Sequence, residues 1–219
     1  MTVIALIPAR GGSKRVPKKN LQEVGKYSLV QWAIQHAKEA KLFDHIILST
    51  DDGEIASHAK SKFHDLTIFS RPPELAEDNT PMLPVVRHAV EEYAKQFKVT
   101  PDDIILLQPT SPFRTADDIR AAYELYKAKG ADAVVSVTEP EADLVFRVGH
   151  AGRMRADPGV VVPNGAIYIL WVGALMCGHD WYSGVSYAYP MPKVRSLDVD
   201  TPVDLAMARA ALEHNYAAA

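Results

Sequence analysis

Hydrophobic positions along the chain follow two alternating rhythms. Thr2 to Ala9 form an almost unbroken apolar run through Pro8, the pattern of a strand buried on both faces. Arg10 to Asn20, rich in glycine and basic residues, interrupts it. From Ser28 to Lys41 the residues Leu29, Trp32, Ala33, Ile34 and Ala37 recur near helical spacing. The alternation then repeats. His45 to Ser49 reads as a short strand, Gly53 to Lys62 as a helix opened by the acidic pair Asp51 and Asp52, and Leu66 to Phe69 as a strand. Arg71 to Asp78 is an irregular loop with two prolines. Met82 to Phe97 gathers Val85, Val86, Ala89, Val90 and Tyr93 on one helical face. Asp103 to Leu107 is a further buried strand, Ala116 to Lys129 a helix and Ala133 to Val137 a strand.

Buried strands separated by helices of this length predict an α/β fold in three layers, a mostly parallel sheet with helices on both faces. Ligands of such sheets bind beyond the carboxyl ends of the strands, so the segments after Ile7, Leu48 and Leu107 share one rim. The last third is less regular. Ala142 to Pro163 carries Gly149, Gly152 and Gly159 with Arg147, Arg153 and Arg155. Ala166 to Leu170 reads as a strand, Pro202 to His214 as a closing helix capped by Thr201, and Tyr216 to Ala219 as a frayed tail. No internal repeat or low-complexity linker divides the chain. A single domain over residues 1–219, with a short irregular segment around 139–195, accommodates the pattern.

Composition narrows the function classes. At 219 residues and 47% hydrophobic the chain builds a sizeable core, and a net charge of −3 offers no basic field for nucleic acid. The single cysteine, Cys177, excludes a disulfide framework and a multi-cysteine zinc site. The apolar start lacks a basic flank and is too short for a signal segment, and no run approaches the roughly 18 apolar residues of a membrane span. A soluble cytoplasmic chain without nucleic-acid or membrane partners is expected.

Three segments carry candidate chemistry. The first, Pro8 to Asn20, packs five cationic side chains and two glycines into thirteen residues directly after a buried strand. Gly11 and Gly12 let the backbone approach an anion, and the amides of such a turn form an anion-binding concavity. Arg10, Lys14 and Lys19 are candidates for neutralising a triphosphate. The segment is neither a dinucleotide fingerprint nor a Walker A loop, which excludes those dehydrogenase and kinase patterns. The second, Leu106 to Thr115, combines two stiffening prolines with the neutral hydrogen-bonding groups of Gln108, Thr110 and Ser111, suited to a sugar. Thr115 reads as a helix cap. In the third, Ser196 to Pro202, alternation puts Asp198 and Asp200 on one face about 7 Å apart, a spacing that can hold Mg²⁺ against substrate phosphates. Asp51 and Asp52 read as structural before catalytic, and the eight histidines show no metal-binding spacing.

These blocks resemble those of the acylneuraminate cytidylyltransferases. The match is carried by IPARGGSKRVPKKN (Ile7 to Asn20), STDDGEIA (Ser49 to Ala56), LLQPTSPFRT (Leu106 to Thr115) and SLDVDTPVDL (Ser196 to Leu205). RPPELAEDNTP (Arg71 to Pro81) and PNGAIYI (Pro163 to Ile169) add to it, so the resemblance spans nearly the whole chain. It implies a Rossmann-like nucleotide-diphospho-sugar transferase fold. It also implies Mg²⁺-assisted transfer of CMP from CTP to the anomeric hydroxyl of a 2-keto-3-deoxy sugar acid, in a homodimer. By the same resemblance Ala9, Arg10, Gly11, Gly12, Ser13, Lys14, Asn20 and Arg71 belong to the nucleotide site. Arg10, Lys14, Lys19 and Asp200 are the catalytic candidates. Gln108, Asn164 and Tyr168 face the sugar, and Asp198 and Asp200 bind the metal. Two departures fall on the sugar and dimer side. The span before PNGAIYI is shorter than in the family, with Val162 where an arginine is expected, and a family lysine has no match in Glu141 to Leu144. Arg147, Arg153 and Arg155 are candidates for the missing cation. Legionaminic, pseudaminic or octulosonic acid as acceptor, or a non-catalytic nucleotide-sugar-binding role, are the competing readings.

Overall fold

A computed structural model describes residues 1–140, 146–148, 154–156 and 159–214, the side chains of the two three-residue pieces excepted. Seven strands form the main sheet in the order β11-β7-β10-β6-β1-β4-β5. They are β1 (Val3–Pro8), β4 (His45–Thr50), β5 (Thr67–Ser70), β6 (Asp103–Leu106), β7 (Ala133–Thr138), β10 (Val162–Trp171) and β11 (Ser186–Pro190). All run parallel except β10, which is antiparallel to both β6 and β7. Two short pairs, β2 (Glu23–Val24) with β3 (Tyr27–Ser28) and β8 (Phe146–Val148) with β9 (Met154–Ala156), stand apart from it.

Strand β1 shows why the sheet must be covered on both sides. All six of its residues are buried. Val3, Ala5 and Ile7 point to one core with α1 (Leu29–Ala40), α2 (Gly53–Lys60) and α4 (Ala116–Lys129). Ile4 and Leu6 point to the other, under α3 (Met82–Phe97) and α5 (Val172–Met176). The two faces alternate because successive strand residues project oppositely. The expected three-layer α/β architecture is what forms. A third, smaller cluster joins α6 (Pro202–Glu213) to the loop after β1: Leu205 and Ala208 pack on Val16, Val24, Leu29 and Val199.

Helix starts follow the polar signals. Thr115 and Thr201 each accept a backbone hydrogen bond and are answered by Asp118 and Asp204, completing capping boxes on α4 and α6. Asp52 caps α2 through the amides of Glu54 and Ile55. Most expected boundaries fall within two residues of the observed ones. Strand β11 has no counterpart in the sequence reading, which treats residues 139–195 as irregular around one strand. It is an edge strand whose five residues are mostly exposed, so no apolar run marks it.

His36 on α1 is buried, stacks on Trp32 with ring centroids 5.2 Å apart, and among the described residues has no hydrogen-bond partner for Nδ1. Burial, with the positive charge of Arg114 adding to it, pushes its pKa down to about 3. The unfolded chain binds this proton near pH 6.5, so stability is full above that value and falls as the pH drops from there towards 3. Between pH 7 and pH 5 wild type is expected to lose about 2 kcal/mol more than His36→Leu. Denaturant melts of both proteins at the two pH values check this, and equal losses would refute the assignment.

Candidate active site

At the carboxyl ends of β1, β5 and β6, three loops and the returning segment 196–201 line a pocket of about 300 Å³. The loop after β1 is pinned by polar contacts. The amide of Ala9 donates to the Ser49 carbonyl (2.9 Å), and the buried Asn20 Nδ2 donates to the Arg10 carbonyl (2.8 Å). The Gly11 amide donates to Asp51 Oδ1 (2.9 Å). Asp52, holding the start of α2, lies so close to Gly11 that any Cβ there would overlap its carboxylate, whereas Gly12 faces open space. The acidic pair after β4 is therefore structural: one member shapes the glycine turn and the other caps a helix.

Arg10, Lys14, Arg15 and Lys19 line the pocket. Asp78 pairs with Arg10 (2.9 Å) and, through its other oxygen, with Lys14. Asp200 accepts from Lys19 (2.8 Å) and Arg15 (2.9 Å). The Lys19 hydrogen bond, helped by the charges of Lys19 and Arg15, holds the Asp200 carboxyl below its ordinary range. Asp198 opens to the same pocket. Burial among the pocket walls pushes its carboxyl up, and the neighbouring Asp200 charge adds to this against a hydrogen bond from Thr110. Val199 between them is fully buried, so the strand-like alternation turns both carboxylates one way, as their spacing predicts.

Arg71 is buried and donates from Nε and Nη2 to the Ser49 hydroxyl (3.2 Å) and carbonyl (2.8 Å). Burial lowers its pKa to about 10, which leaves it charged at neutral pH, and it lines the pocket. Gln108 forms the opposite wall beside Pro109 and Thr110. Its carbonyl is held by Nη1 of Arg114 (3.2 Å), which also donates to the Ala166 carbonyl on β10 (2.6 Å).

The pocket thus collects Arg10, Ser13, Lys14, Lys19, Asn20, Arg71, Gln108, Asp198 and Asp200 from the sequence candidates. Ala9 is buried beneath the loop, Gly11 is engaged with Asp51 and Asp52, and Gly12 borders an adjoining groove. Asn164 and Tyr168 do not line it. Asn164 Oδ1 accepts from Ser136 Oγ (2.6 Å) and the Ala166 amide (3.2 Å), and Nδ2 donates to Ser196 Oγ (2.9 Å). Its amide braces the strand rather than facing the cavity. Tyr168 packs edge-on against Trp181, and burial raises its phenol pKa. Arg147, Arg153 and Arg155 lie outside the described side chains.

The sequence reading assigned no role to four residues. Arg15 and Arg114 stood inside recognised blocks without a spacing to single them out, and Asp78 was one acid in an irregular loop. Arg195 donates a two-pronged pair of hydrogen bonds to Asp118 (3.0 Å each), fastening the segment that leads to Asp198. No local pattern signals a contact 77 positions apart.

A cationic glycine-rich loop facing a carboxylate pair at the rim of a mostly parallel sheet defines a nucleotidyltransferase site. The chain belongs to the cytidylyltransferase family, whose model matches residues 4–150. It is 29% identical over 237 residues to the CMP-N,N'-diacetyllegionaminic acid synthase of Legionella pneumophila, covering 100% of this chain and 99% of that one. With the N-acylneuraminate cytidylyltransferase of Escherichia coli it shares 31% identity over 220 residues, 94% of this chain and 51% of the relative. The resemblance read from the motifs is borne out. Among solved structures, CMP:2-keto-3-deoxy-manno-octonic acid synthetase complexed with CTP superimposes with a TM-score of 0.71 at 16% identity, covering 98% and 100% of the two chains. That likeness supports the fold.

The two glycines of the loop are expected to separate in mutants. Gly11→Ala must displace Asp52 and its cap, lowering stability by about 1–3 kcal/mol. Gly12→Ala meets open space and should stay within about 0.5 kcal/mol of wild type. Urea unfolding of the ligand-free proteins measures both, and equal effects would contradict the described loop.

Proposed function

We propose that this cytidylyltransferase moves CMP from CTP to the anomeric hydroxyl of a sialic-acid-like 2-keto-3-deoxy sugar acid, releasing pyrophosphate. The observation that carries the proposal is the convergence of Arg10, Lys14 and Lys19 with Asp198 and Asp200 on one pocket. The relatives' printed activities supply the nucleotide and the class of acceptor.

In this reading the loop after β1 receives the triphosphate. Its cations offset phosphate charge, and Asn20 holds the turn in shape through the Arg10 carbonyl. Arg71 stands at the nucleotide end, and Gln108 with Thr110 presents neutral groups to the sugar. The acceptor hydroxyl attacks the α-phosphorus. A new phosphorus–oxygen bond forms, the bond to the bridging oxygen of pyrophosphate breaks, and the hydroxyl gives up its proton. Positioning and fixed charge supply most of the rate enhancement. Asn164 and Tyr168 belong to this acceptor side as supports, since their polar groups are engaged within the protein.

Among the described residues no group of three or more histidine, cysteine or acidic side chains gathers. Asp198 and Asp200 fit Mg²⁺ in the manner usual for nucleotide sites, where one or two carboxylates share the ion with water and phosphates. Burial raises the Asp198 carboxyl and the Asp200 charge adds to this, a pairing of carboxylates that a bound cation would relieve. Mg²⁺ there supplies charge neutralisation for the departing pyrophosphate. The reading also includes a homodimer in the cytoplasm, supported by the family resemblance, and sedimentation of the purified chain tests the dimer.

Pyrophosphate release with Mg²⁺ is the deciding measurement. It crosses CTP, UTP, GTP and ATP with N-acetylneuraminic, legionaminic, pseudaminic and octulosonic acids. Turnover is expected with CTP and a nine-carbon acid, and Asp198→Asn or Asp200→Asn should lower kcat by about 100-fold or more. Normal turnover in both variants would overturn the metal assignment. Silence of wild type with every pair, in folded protein that binds CTP, would favour the non-catalytic reading.

A further inference from the structure

The four cations of the loop after β1 that line the pocket are each paired with a carboxylate. Lys19 and Arg15 are held by Asp200, which the proposed reaction uses. Arg10 and Lys14 are held by Asp78, which it does not use. Asp78 sits on the turn between Arg71 and α3, beside the groove that adjoins the pocket. Its two carboxylate oxygens meet two different cations, as two oxygens of a phosphate would. We infer that Asp78 is a stand-in for phosphate, exchanged for the polyphosphate of the incoming nucleotide and returned to Arg10 and Lys14 when pyrophosphate leaves.

Three features carry the inference. First, the turn bearing Asp78 is built to move as a piece. The Ala76 amide donates to the Pro73 carbonyl (2.9 Å), the Thr80 amide to Glu77 (3.3 Å), and Thr80 Oγ1 to the Glu74 carbonyl (3.2 Å). These bonds are internal to residues 73–80. The ends are fixed: Arg71 is buried on Ser49 and α3 begins at Met82. Beyond the Asp78 pairs, the described contact from the turn to the cationic loop is one long hydrogen bond, Arg10 Nη1 to the Ala76 carbonyl (3.4 Å). An open groove bordered by Gly12, Glu77 and Asn79 separates the two segments.

Second, the pairs are weak enough to exchange. The Lys14 side chain is 85% exposed and that of Asp78 is 36% exposed. Water screens both partners, and ion pairs this open contribute little individually. Third, Asp78 cannot stay. A carboxylate left between Arg10 and Lys14 would sit against the phosphates that those cations neutralise, and like charges at such range repel. Phosphate binding therefore requires the turn to withdraw. Its return re-covers the cations and opposes rebinding of the leaving pyrophosphate.

The inference rests on the loop after β1 holding polyphosphate, and on neither the base nor the acceptor. Inorganic tripolyphosphate is therefore the probe, titrated calorimetrically at low salt into wild type, Asp78→Asn and Glu77→Gln. Glu77 is an exposed neighbour that removes the same charge without an ion pair among the described residues, so it controls for the general field. Asp78→Asn is expected to bind tripolyphosphate about five- to tenfold more tightly than wild type, and Glu77→Gln within about twofold. An Asp78→Asn affinity that is no tighter than that of Glu77→Gln overturns the inference. Failure of wild type to bind tripolyphosphate overturns it together with the phosphate-loop reading. A protein that binds tripolyphosphate as expected yet turns over no CTP leaves it standing and removes only the proposed reaction.

Discussion

The site depends on one return of the chain: Asp200 meets Lys19 and Arg15, residues 181 and 185 positions earlier. The ion pairs mark this closure without creating it. The Arg15 pair is exposed, and pairs of that kind contribute at most about 1 kcal/mol. Full burial of a valine contributes about 1.5–3 kcal/mol, and Val199 is fully buried among Val16, Val24 and Leu205. The Val199 amide also donates to the Thr110 carbonyl (2.8 Å), and Asp204 accepts from the Asp200 amide (3.0 Å). Apolar burial and backbone hydrogen bonds fix the segment, and the two carboxylates flanking Val199 are thereby carried to the pocket.

A second layer of charge holds the walls in register. Arg114 has no exposed surface, and burial pushes its pKa down to about 9, with the Asp118 carboxylate opposing that shift. It ties the Gln108 carbonyl to β10, while its Nε and Nη2 have no hydrogen-bond partner among the described residues. Burial alone would raise the Asp118 carboxyl, but hydrogen bonds from Arg195 and Thr115 outweigh it and bring the carboxyl below its ordinary value. One acid therefore completes the cap of α4, faces a buried cation and anchors the approach to Asp198. Such a cluster costs desolvation and offsets it by satisfying many donors at once.

What was legible in the sequence was whatever obeys a local period. Buried parallel strands read as apolar runs, helices as 3.6-residue stripes with threonine caps, and Asp198 and Asp200 as an alternating pair. The glycine loop was legible because an anion site at a strand's carboxyl end needs both close backbone approach and cations. Interactions between distant segments left no local trace. Asp78 is one acid among several in its loop, and its role depends on where the turn folds back. Arg195 reaches Asp118 across 77 positions. Asn164 and Tyr168 were placed by block resemblance, and the structure uses their polar atoms as braces behind the pocket wall. Strand β11 escaped because an exposed edge strand has no continuous apolar run to display.

The direction of β10 explains how it meets the pocket wall. In the parallel strands the loops that line the pocket follow the carboxyl ends, after Pro8, Ser70 and Leu106. Strand β10 runs the other way, with Tyr168 opposite Leu106 and Trp171 opposite Asp103. Its amino-terminal end is therefore the one that reaches the rim. There the pairing with β7 shifts register between Pro163 and Tyr168, and Gly165 adopts φ +79°. Only a residue without Cβ accepts that conformation readily, and the glycine brings the backbone against Gln108, Ser111 and Asp198. A single antiparallel strand thus joins the Gln108 wall to the Asp198 carboxylate. A parallel strand at that position would present its carboxyl end to the rim and could not place the Asn164–Gly165 bulge there.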